Sequence, residues 1–225
     1  MNRKKFIVIL LTPLLLTLAA GLGYTVLSLP EQPQYVQNMV TDKMSESGVN
    51  NPVTAVLLNF RGYDTLLEMV VLLLALLAVW SLDMSEPKRK TAPTPLLDTL
   101  TRLLTPVLIL VTAYLLWVGA DAPGGAFQAG SVLAACGVLL LLAGWRIPNK
   151  LTALPLRIIL IAGPSMFIII SIITLFLEGQ LLTFPPAQAG LYIIILETVA
   201  TLSIGATLAA LFLGVNHNDK GKENK

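Results

Sequence analysis

Three charged residues stand at the start of a long apolar stretch and are the first candidates for chemistry. Arg61, Asp64 and Glu68 lie in the segment NFRGYDTLLEMVVLLLALLAVW, whose second half is apolar enough to cross a bilayer. On a helix, Arg61 and Asp64 are three residues apart and can pair, whereas Asp64 and Glu68 are four apart and share one face. Each charge costs roughly 2.5–3.5 kcal/mol near the bilayer centre, so this face requires protein or water instead of lipid.

The sequence leaves two interpretations of this cluster open. In the first, Arg61 neutralises the acids and anchors the helix at the membrane surface. In the second, the acids line a path for protons or small cations, because a carboxylate close to a second carboxylate takes up a proton more readily. Glu68 is the stronger candidate for such a path, since it lies about 6 Å deeper than Asp64 at ~1.5 Å per residue.

Glu197 is a further acid inside an apolar stretch, and no basic residue lies near it in the sequence. Thr198 and Thr201 accompany it, the latter one helical turn away. The cost of burying this carboxyl group must be offset by a hydrogen bond between helices, by protonation or by a water-filled cavity. The sequence therefore allows two roles, an ion-pathway residue or a neutral acid that holds two helices together.

The segment GADAPGGAFQAG, residues 119–130, carries the turn signal Pro-Gly-Gly at residues 123–125. This spacing predicts a tight hairpin between two antiparallel helices. Gly130 is one of the small residues that allow the following helix to pack closely against a neighbour. Asp121 and Gln128 are candidates for polar contacts with a neighbouring polypeptide.

The composition places these residues in a membrane protein. Charged residues are 12% of the 225 residues, hydrophobic residues are 55%, and the mean hydropathy is +0.77. A soluble fold of this length needs more polar surface. A membrane-spanning helix needs about 20 apolar residues, and six stretches meet this in whole or in part. These stretches, which predict an all-α polytopic membrane protein with about six transmembrane helices, are residues 6–27, 53–82, 103–118, 130–145, 158–177 and 191–215.

The distribution of basic residues predicts the orientation. With six crossings and a cytoplasmic N-terminus, thirteen of the fifteen Lys and Arg residues fall on the cytoplasmic side, Lys43 falls outside and Arg61 lies at the membrane. This asymmetry follows the positive-inside rule and predicts that both termini are cytoplasmic. The first apolar stretch follows MNRKKF and imitates a signal peptide, but it is about twice the usual length of the apolar region, so we expect an uncleaved helix.

A basic, proline-rich segment, SEPKRKTAPTP, divides the chain. The sequence predicts a two-helix module at residues 1–84, a cytoplasmic linker at 85–95, a four-helix module at 96–215 and a polar tail at 216–225. The polar loop after the first span has room for a short surface helix at residues 35–47.

Several classes of function find no support in the sequence. Cys136 and His217 are the single cysteine and histidine, so no internal disulfide and no Cys/His metal site is expected. No glycine-rich phosphate-binding loop follows a strand. No basic aromatic patch indicates nucleic-acid binding. A self-sufficient transporter built from repeated halves is disfavoured because no internal repeat is visible. An intramembrane enzyme is disfavoured because no catalytic constellation is present.

Two stretches resemble one family. APGGAFQAG resembles the hairpin of the B-type membrane protein (MnhB) of Mrp-type multisubunit sodium/proton antiporters. NFRGYDTLLEMVVL resembles a segment in the C-terminal tail of the large A-type protein of the same complexes, and related segments occur in small membrane subunits of membrane-bound hydrogenases. The likeness covers residues 54–82 and 97–214, as if an A-tail module and a B-type module were joined on one polypeptide.

The resemblance implies an accessory integral membrane subunit of a multisubunit Na+/H+ antiporter, multi-pass in the bacterial or archaeal cell (inner) membrane. It implies no cofactor and no enzymatic activity. The implied partners are the other membrane subunits of the complex, with H+ and Na+ or another monovalent cation as the ions. The alternative is a membrane subunit of a related redox-driven complex such as a membrane-bound hydrogenase.

The resemblance also assigns residues. It implies ion pairing and a proton or sodium relay at the tail motif, which consists of Arg61, Asp64, Thr65 and Glu68. It identifies the hairpin motif as Pro123, Gly124, Gly125, Phe127, Gln128 and Gly130. Glu197 has no counterpart in either motif, so its candidacy rests on burial alone.

Overall fold

The computed structural model describes residues 3–28, 33–81, 94–145, 154–185 and 188–213, which form helices and their connecting turns without a β-strand. Most of the predicted linker and the whole predicted polar tail lie outside these residues. The chain divides into two compact units, Met1–Met39 and Val40–Lys225, which are described separately.

The N-terminal helix α1 covers Arg3–Ser28 and contains Pro13. Its apolar stretch Leu11–Ser28 is long enough to cross a membrane and is exposed along its whole length, as a helix surrounded by lipid would be. The short helix predicted in the following loop is confirmed as α2, Pro33–Ser47.

The second unit contains the remaining helices of the described residues. Five helices of the described chain are long and apolar enough to span a membrane, and a sixth apolar helix, Ala126–Leu142, is shorter at 17 residues. These six correspond to the six predicted segments and confirm an all-α polytopic membrane protein. The helices are α3 (Pro52–Thr54), a π-helical turn (Ala55–Phe60), α4 (Gly62–Ser81), α5 (Pro95–Val118), α6 (Ala126–Leu142), α7 (Leu154–Glu178) and α8 (Ala189–Leu213).

The segment predicted as one span over residues 53–82 is divided in two. The π-helical turn closes with a hydrogen bond of 2.7 Å from the N–H of Arg61 to the carbonyl oxygen of Val56. Arg61 then leaves the helix, with φ −131° and ψ 35°, and α4 begins at Gly62. Arg61 therefore lies outside α4, which contains Asp64 and Glu68, and the expectation that all three residues lie on one helix is wrong.

Helix α8 is the centre of the second unit. It packs against α4, α6 and α7, and α5 reaches it through fewer contacts. Because lipid tails are as apolar as leucine, this association depends on close packing and on polar contacts between helices. The main buried cluster contains, among others, Met69, Phe167, Ile193, Leu196, Ala200 and Ile204.

Small residues set the distance between α6 and α8. A Cβ atom on Gly130 would lie 2.9 Å from Cγ2 of Ile204, and a Cβ atom on Gly205 would lie 2.9 Å from Cδ2 of Leu133. The two helices therefore approach each other at glycines contributed from both sides. The close packing predicted for Gly130 is confirmed.

Pro164 interrupts the backbone hydrogen bonds of α7 and is compensated by α8. Proline has no N–H, so the carbonyl group of Leu160, four residues earlier, loses its helical donor. The hydroxyl group of Ser203 donates to this carbonyl oxygen at 2.8 Å and is itself buried. A Cβ atom on the adjacent Gly163 would lie 1.9 Å from Cε of Met69, so α4, α7 and α8 meet at this point.

The end of α5 that lies away from the hairpin contacts the residue Trp145, which follows α6. Nε of Arg102 lies 2.9 Å from Oδ2 of Asp98, and its guanidinium group lies 5.7 Å from the centre of the Trp145 ring. An arginine beside a tryptophan is typical of a membrane–water interface. The assignment of this end to the cytoplasm stays a prediction.

The pairing of Ser203 with the proline-interrupted helix predicts a coupling between two substitutions. Ser203→Ala leaves a buried carbonyl group without a donor and should destabilise the protein by about 1–3 kcal/mol. Pro164→Ala restores the backbone donor, so Ser203→Ala should cost much less in that background. Thermal unfolding of the four proteins in detergent measures this double-mutant cycle. Equal costs of Ser203→Ala in both backgrounds would contradict the explanation.

Candidate functional site

A cavity of about 190 Å³ lies between α4, the hairpin that joins α5 to α6, and α8. It brings together residues from both motifs and the unassigned acid of the last span. Its described lining residues include Thr65 and Glu68 of α4, Glu197 of α8, and four residues of the hairpin motif. These four are Gly124, Gly125, Phe127 and Gln128. Glu68, Glu197 and part of the hairpin motif therefore share one space.

Glu197 is the most deeply buried acid of this cavity, with 2% of its surface exposed. The backbone N–H of Ala126, the first residue of α6, interacts with this carboxylate. The N-terminus of a helix carries unpaired N–H groups and a partial positive charge, and Gly125 has no side chain to cap it. Glu197 of α8 therefore takes the capping role for α6 and ties the hairpin to α8.

The second carboxylate oxygen of Glu197 is in a different situation. Oε2 is buried and has no hydrogen-bond partner among the described residues, and the same holds for the hydroxyl group of Thr201, one turn later on α8. A buried polar atom without a partner costs about 1–3 kcal/mol, and more if it is charged. The sequence indicated this acid and its threonine neighbour, but not the helix that Glu197 caps.

Glycines are required throughout the hairpin. Gly125 adopts φ +109°, and a Cβ atom there would lie 2.9 Å from Oε1 of Glu197. A Cβ atom on Gly124 would lie 2.4 Å from the carbonyl oxygen of Leu115, and one on Gly119 would lie 2.7 Å from the nitrogen of Gly125. The predicted tight hairpin is confirmed, and its glycines also allow the carboxylate to approach the backbone.

Two asparagines hold the hairpin from outside, and sequence reasoning missed them. The side-chain amide of Asn51 donates to the carbonyl oxygens of Ala122 at 2.7 Å and Gly119 at 3.2 Å. The amide of Asn50 donates to Oδ1 of Asp121 at 2.7 Å. Asn51 precedes Pro52 at the start of α3, a pattern that indicates a helix cap, but nothing local indicates a partner about 70 residues away. Asp121 therefore has a contact within the chain.

Thr65 compensates the interruption before α4. Its hydroxyl group donates at 2.6 Å to the carbonyl oxygen of Leu57 in the π-helical turn. Thr54, at the start of the same turn, donates at 2.5 Å to the carbonyl oxygen of Gly119 in the hairpin. Both threonines line the cavity. Residues on both sides of the division before α4 therefore line the same cavity.

The charged residues of the tail motif separate into two groups. Arg61 and Asp64 form the ion pair that their spacing predicted, with 69% and 43% of their side chains exposed. Neither is among the described residues that line the cavity, whereas Glu68 is. Glu68 is also exposed at the surface of the chain, so its carboxylate stands between the cavity and the exterior. A role of these residues in ion movement stays a prediction.

The part of the chain that forms the hairpin and the last four helices matches a known family. Residues 96–216 match the family described as "Domain related to MnhB subunit of Na+/H+ antiporter", which is more than half of the chain. The chain belongs to this family. Residues 3–95 match a second family, MbhE, which is described as the E subunit of MBH. In this MnhB-related protein, Glu197 lies in the first match and Glu68 in the second, so the cavity is lined by both parts.

A named relative and two solved structures are similar to the chain. A probable K(+)/H(+) antiporter protein of Rhizobium meliloti (strain 1021), named as a combined A/B subunit, is 27% identical over an alignment of 183 residues, and the match covers 65% of this chain and 18% of that protein. The chain thus spans less than a fifth of this relative. A chain of the Mrp complex from Dietzia sp. DQ12-45-1b shares the fold, with a TM-score of 0.67, 22% identity, and coverage of 99% of this chain and 27% of that one.

The second structure is the membrane-bound sulfane sulfur reductase (MBS), an archaeal respiratory membrane complex. One of its chains has a TM-score of 0.67 and 25% identity, and the match covers 93% of this chain and 97% of that one. A similar fold therefore occurs in a chain of an Mrp complex and in a chain of an archaeal respiratory membrane complex.

The contact between Gly125 and Glu197 predicts a strong effect of one methyl group. Gly125→Ala places Cβ against the carboxylate and forces alanine into a backbone region that costs about 1–3 kcal/mol. Gly179→Ala is the matched control, because Gly179 also has a positive φ of +72° but no atom within 4 Å of the added Cβ. Thermal unfolding in detergent should show the larger loss for Gly125→Ala. Similar losses for both variants would mean that the carboxylate is not packed against this glycine.

Proposed function

We propose that this chain is an accessory membrane subunit of a multisubunit monovalent cation/proton antiporter. It contributes an ion path and contacts to other subunits, and it catalyses no covalent reaction. The observation that carries the proposal is the MnhB-related match over residues 96–216, combined with a cavity that joins Glu68 to Glu197. An ionisable residue inside a membrane protein is a functional hypothesis by default, and this cavity has two.

The proposed arrangement has two modules on one polypeptide. Residues 1–84 correspond to an A-tail-like module and residues 96–215 to a B-like module, joined by the segment 85–95. The two family matches meet at residues 95 and 96, which supports this division. The combined A/B designation of the Rhizobium meliloti relative is consistent with it. Both termini are proposed to be cytoplasmic.

The proposed ion path begins at Glu68. An exposed carboxylate on a membrane helix is costly against lipid, so a neighbouring polypeptide or water must cover that face in the complex. The Arg61–Asp64 pair lies one turn away, near the start of α4, where a charged pair is tolerated at a membrane surface. From Glu68 the cavity leads inward to Glu197, past Thr65 and Gln128. These side chains offer the oxygen atoms that Na+ and K+ require as ligands.

A second candidate function is a membrane subunit of a redox-driven ion-pumping complex. Two observations favour it: the match of residues 3–95 to the MbhE family, and the coverage of 97% of a chain from the MBS complex. In such a complex, the electron transfer would take place in other subunits. The cavity and its acids would serve ion movement in either case.

Affinity purification of the tagged chain from its native membrane in mild detergent distinguishes the two candidates. Co-purification with large antiporter-like subunits supports the first, and co-purification with hydrogenase- or reductase-type subunits supports the second. A chain that purifies alone and exchanges cations for protons in liposomes would overturn both.

Glu68→Gln predicts a separation of transport from assembly. This substitution removes the charge and keeps the shape of the side chain. It should lower the rate of cation/proton exchange about tenfold or more, which corresponds to a loss of ~1.4 kcal/mol. The amount of intact complex should stay close to that of the unmodified protein. Exchange is measured in everted vesicles with a fluorescent pH indicator, and Glu46→Gln, an exposed acid outside this cavity, is the control. Normal exchange by an intact Glu68→Gln complex would make Glu68 a structural residue.

A further inference from the structure

We propose that Glu197 and Glu68 form a binding site for a monovalent alkali cation in the cavity between α4, the hairpin and α8. Without the cation, Glu197 holds a proton on the same carboxyl group. This inference rests on the proposed function and names the site at which cation and proton would compete. It adds to the two family motifs a residue, Glu197, that neither motif contains.

The first argument is that one oxygen atom of the buried Glu197 carboxylate lacks a hydrogen-bond partner among the described residues. With 2% of its surface exposed, it interacts with the N–H of Ala126, and its Oε2 atom has no hydrogen-bond partner in the described chain. An isolated carboxylate buried in protein is so costly that it is paired, coordinated to a cation or neutralised by a proton. Because no basic side chain is among the described lining residues, a cation or a proton from the cavity must fill this role.

The second argument is the oxygen content of the surrounding space. The cavity volume of about 190 Å³ exceeds the ~30 Å³ that a water molecule occupies in the liquid, so an ion with several waters fits. Hard cations take oxygen ligands, and Glu68, Thr65 and Gln128 supply carboxylate, hydroxyl and amide oxygens around it. Thr201, which is outside the described lining, has a buried hydroxyl group without a partner among the described residues, one turn from Glu197 on α8.

The third argument concerns the charge of the ligand. The described residues contain no group of three or more His, Cys, Asp or Glu side chains arranged to hold a metal ion. Two carboxylates, one of which faces the partial positive charge of a helix N-terminus, are few for a divalent cation, which usually has several carboxylate and carbonyl ligands. A monovalent cation that keeps part of its water shell matches this set better.

Cation and proton binding at Glu197 exclude each other, because both occupy the same oxygen atom. Glu68 and Glu197 are the charged residues among the described lining of the cavity, so no other ionised group there changes the balance directly. The other charged side chains on the helices that pack against α8 lie outside the described lining of the cavity. They are Asp64 on α4, Asp98 and Arg102 on α5, and Arg157 and Glu178 on α7.

A purely structural role of Glu197 makes a different prediction. If Glu197 only caps α6, Glu197→Gln should change little, because the side-chain amide oxygen still accepts from the N–H of Ala126. If Glu197 binds a cation, the same substitution keeps the cap and removes the charge that the cation requires. Glu197→Gln therefore separates the two roles with little risk of unfolding the protein.

The test uses the purified complex that contains the full chain. Dicyclohexylcarbodiimide reacts with protonated carboxyl groups in apolar surroundings, and mass spectrometry quantifies its adduct on the Glu197 peptide. The reaction is run in choline chloride, NaCl and KCl at equal ionic strength. We expect labelling of Glu197 in choline chloride and at least a roughly tenfold reduction in saturating NaCl or KCl, with weaker protection at lower pH. Absence of labelling in choline chloride, or equal labelling in all three salts, overturns the proposal.

Two variants sharpen the result. Glu68→Gln should leave Glu197 reactive but raise the cation concentration needed for half-protection about tenfold. Glu178→Gln, an exposed acid at the end of α7, should leave the protection curve unchanged. An unchanged curve for Glu68→Gln removes Glu68 from the site.

Thermal unfolding supplies a second measurement. A bound ligand raises the unfolding temperature in proportion to RT ln(1 + [L]/Kd), so NaCl or KCl should stabilise the unmodified complex relative to choline chloride. Glu197→Gln should fold and lose this salt-specific shift, and retention of the full shift would overturn the proposal. Neither readout involves transport. Protection without antiport would reject the proposed function and keep the site, whereas antiport without protection would reject the site alone.

Discussion

Inside a membrane, a peptide group without a hydrogen-bond partner costs several kcal/mol, so an interruption in a helix must be compensated by another part of the chain. Three interruptions in this protein are compensated by side chains. Ser203 donates to the carbonyl group of Leu160, which Pro164 leaves without a donor. Thr65 donates to the carbonyl group of Leu57 across the division before α4, and the carboxylate of Glu197 interacts with the N–H of Ala126 at the start of α6.

These compensating contacts also determine how the second unit is arranged. Ser203 and Glu197 both belong to α8, so one helix serves the interrupted α7 on one side and the hairpin on the other. Asn51 and Thr54 join the start of the divided span to the same hairpin. The cavity is the space left where these connections meet. Its polar lining follows from the same constraint, because hydroxyl and carboxyl groups are needed there to satisfy backbone atoms.

A neutral acceptor would be sufficient to cap α6. A glutamine, serine or asparagine could accept from Ala126 without the cost of burying a charge in the membrane. The choice of glutamate leaves Oε2 without a partner among the described residues, in a side chain that lines the same cavity as Glu68. Capping explains the position of the Glu197 side chain but not its ionisable character, which is the reason to assign it an ion-binding role.

The sequence predicted the positions of the helices and the hairpin well, but it did not predict which of them contact each other. Apolar run lengths located the helices, and Pro-Gly-Gly located the hairpin, because both signals are local. The division at Arg61 was missed, since a π-helical turn has no local signature and Gly62 alone does not indicate one. Ser203 and Asn51 were missed because their partners lie 43 and about 70 residues away. Glu197 was identified by its burial, but hydropathy does not encode which helices surround it.

The position of the cavity between the two family-matched segments has a consequence for the assembly. Glu68 lies in the segment 3–95 and Glu197 in the segment 96–216, so neither segment alone can complete the proposed site. On separate polypeptides, the same two acids would meet only after association, and the site would depend on the affinity between the two polypeptides. A covalent connection makes this association intramolecular, so it no longer depends on the concentration of a second polypeptide. In this chain the two acids line one cavity before any other subunit binds. The exposed side of Glu68 is the place where a partner would continue the proposed path.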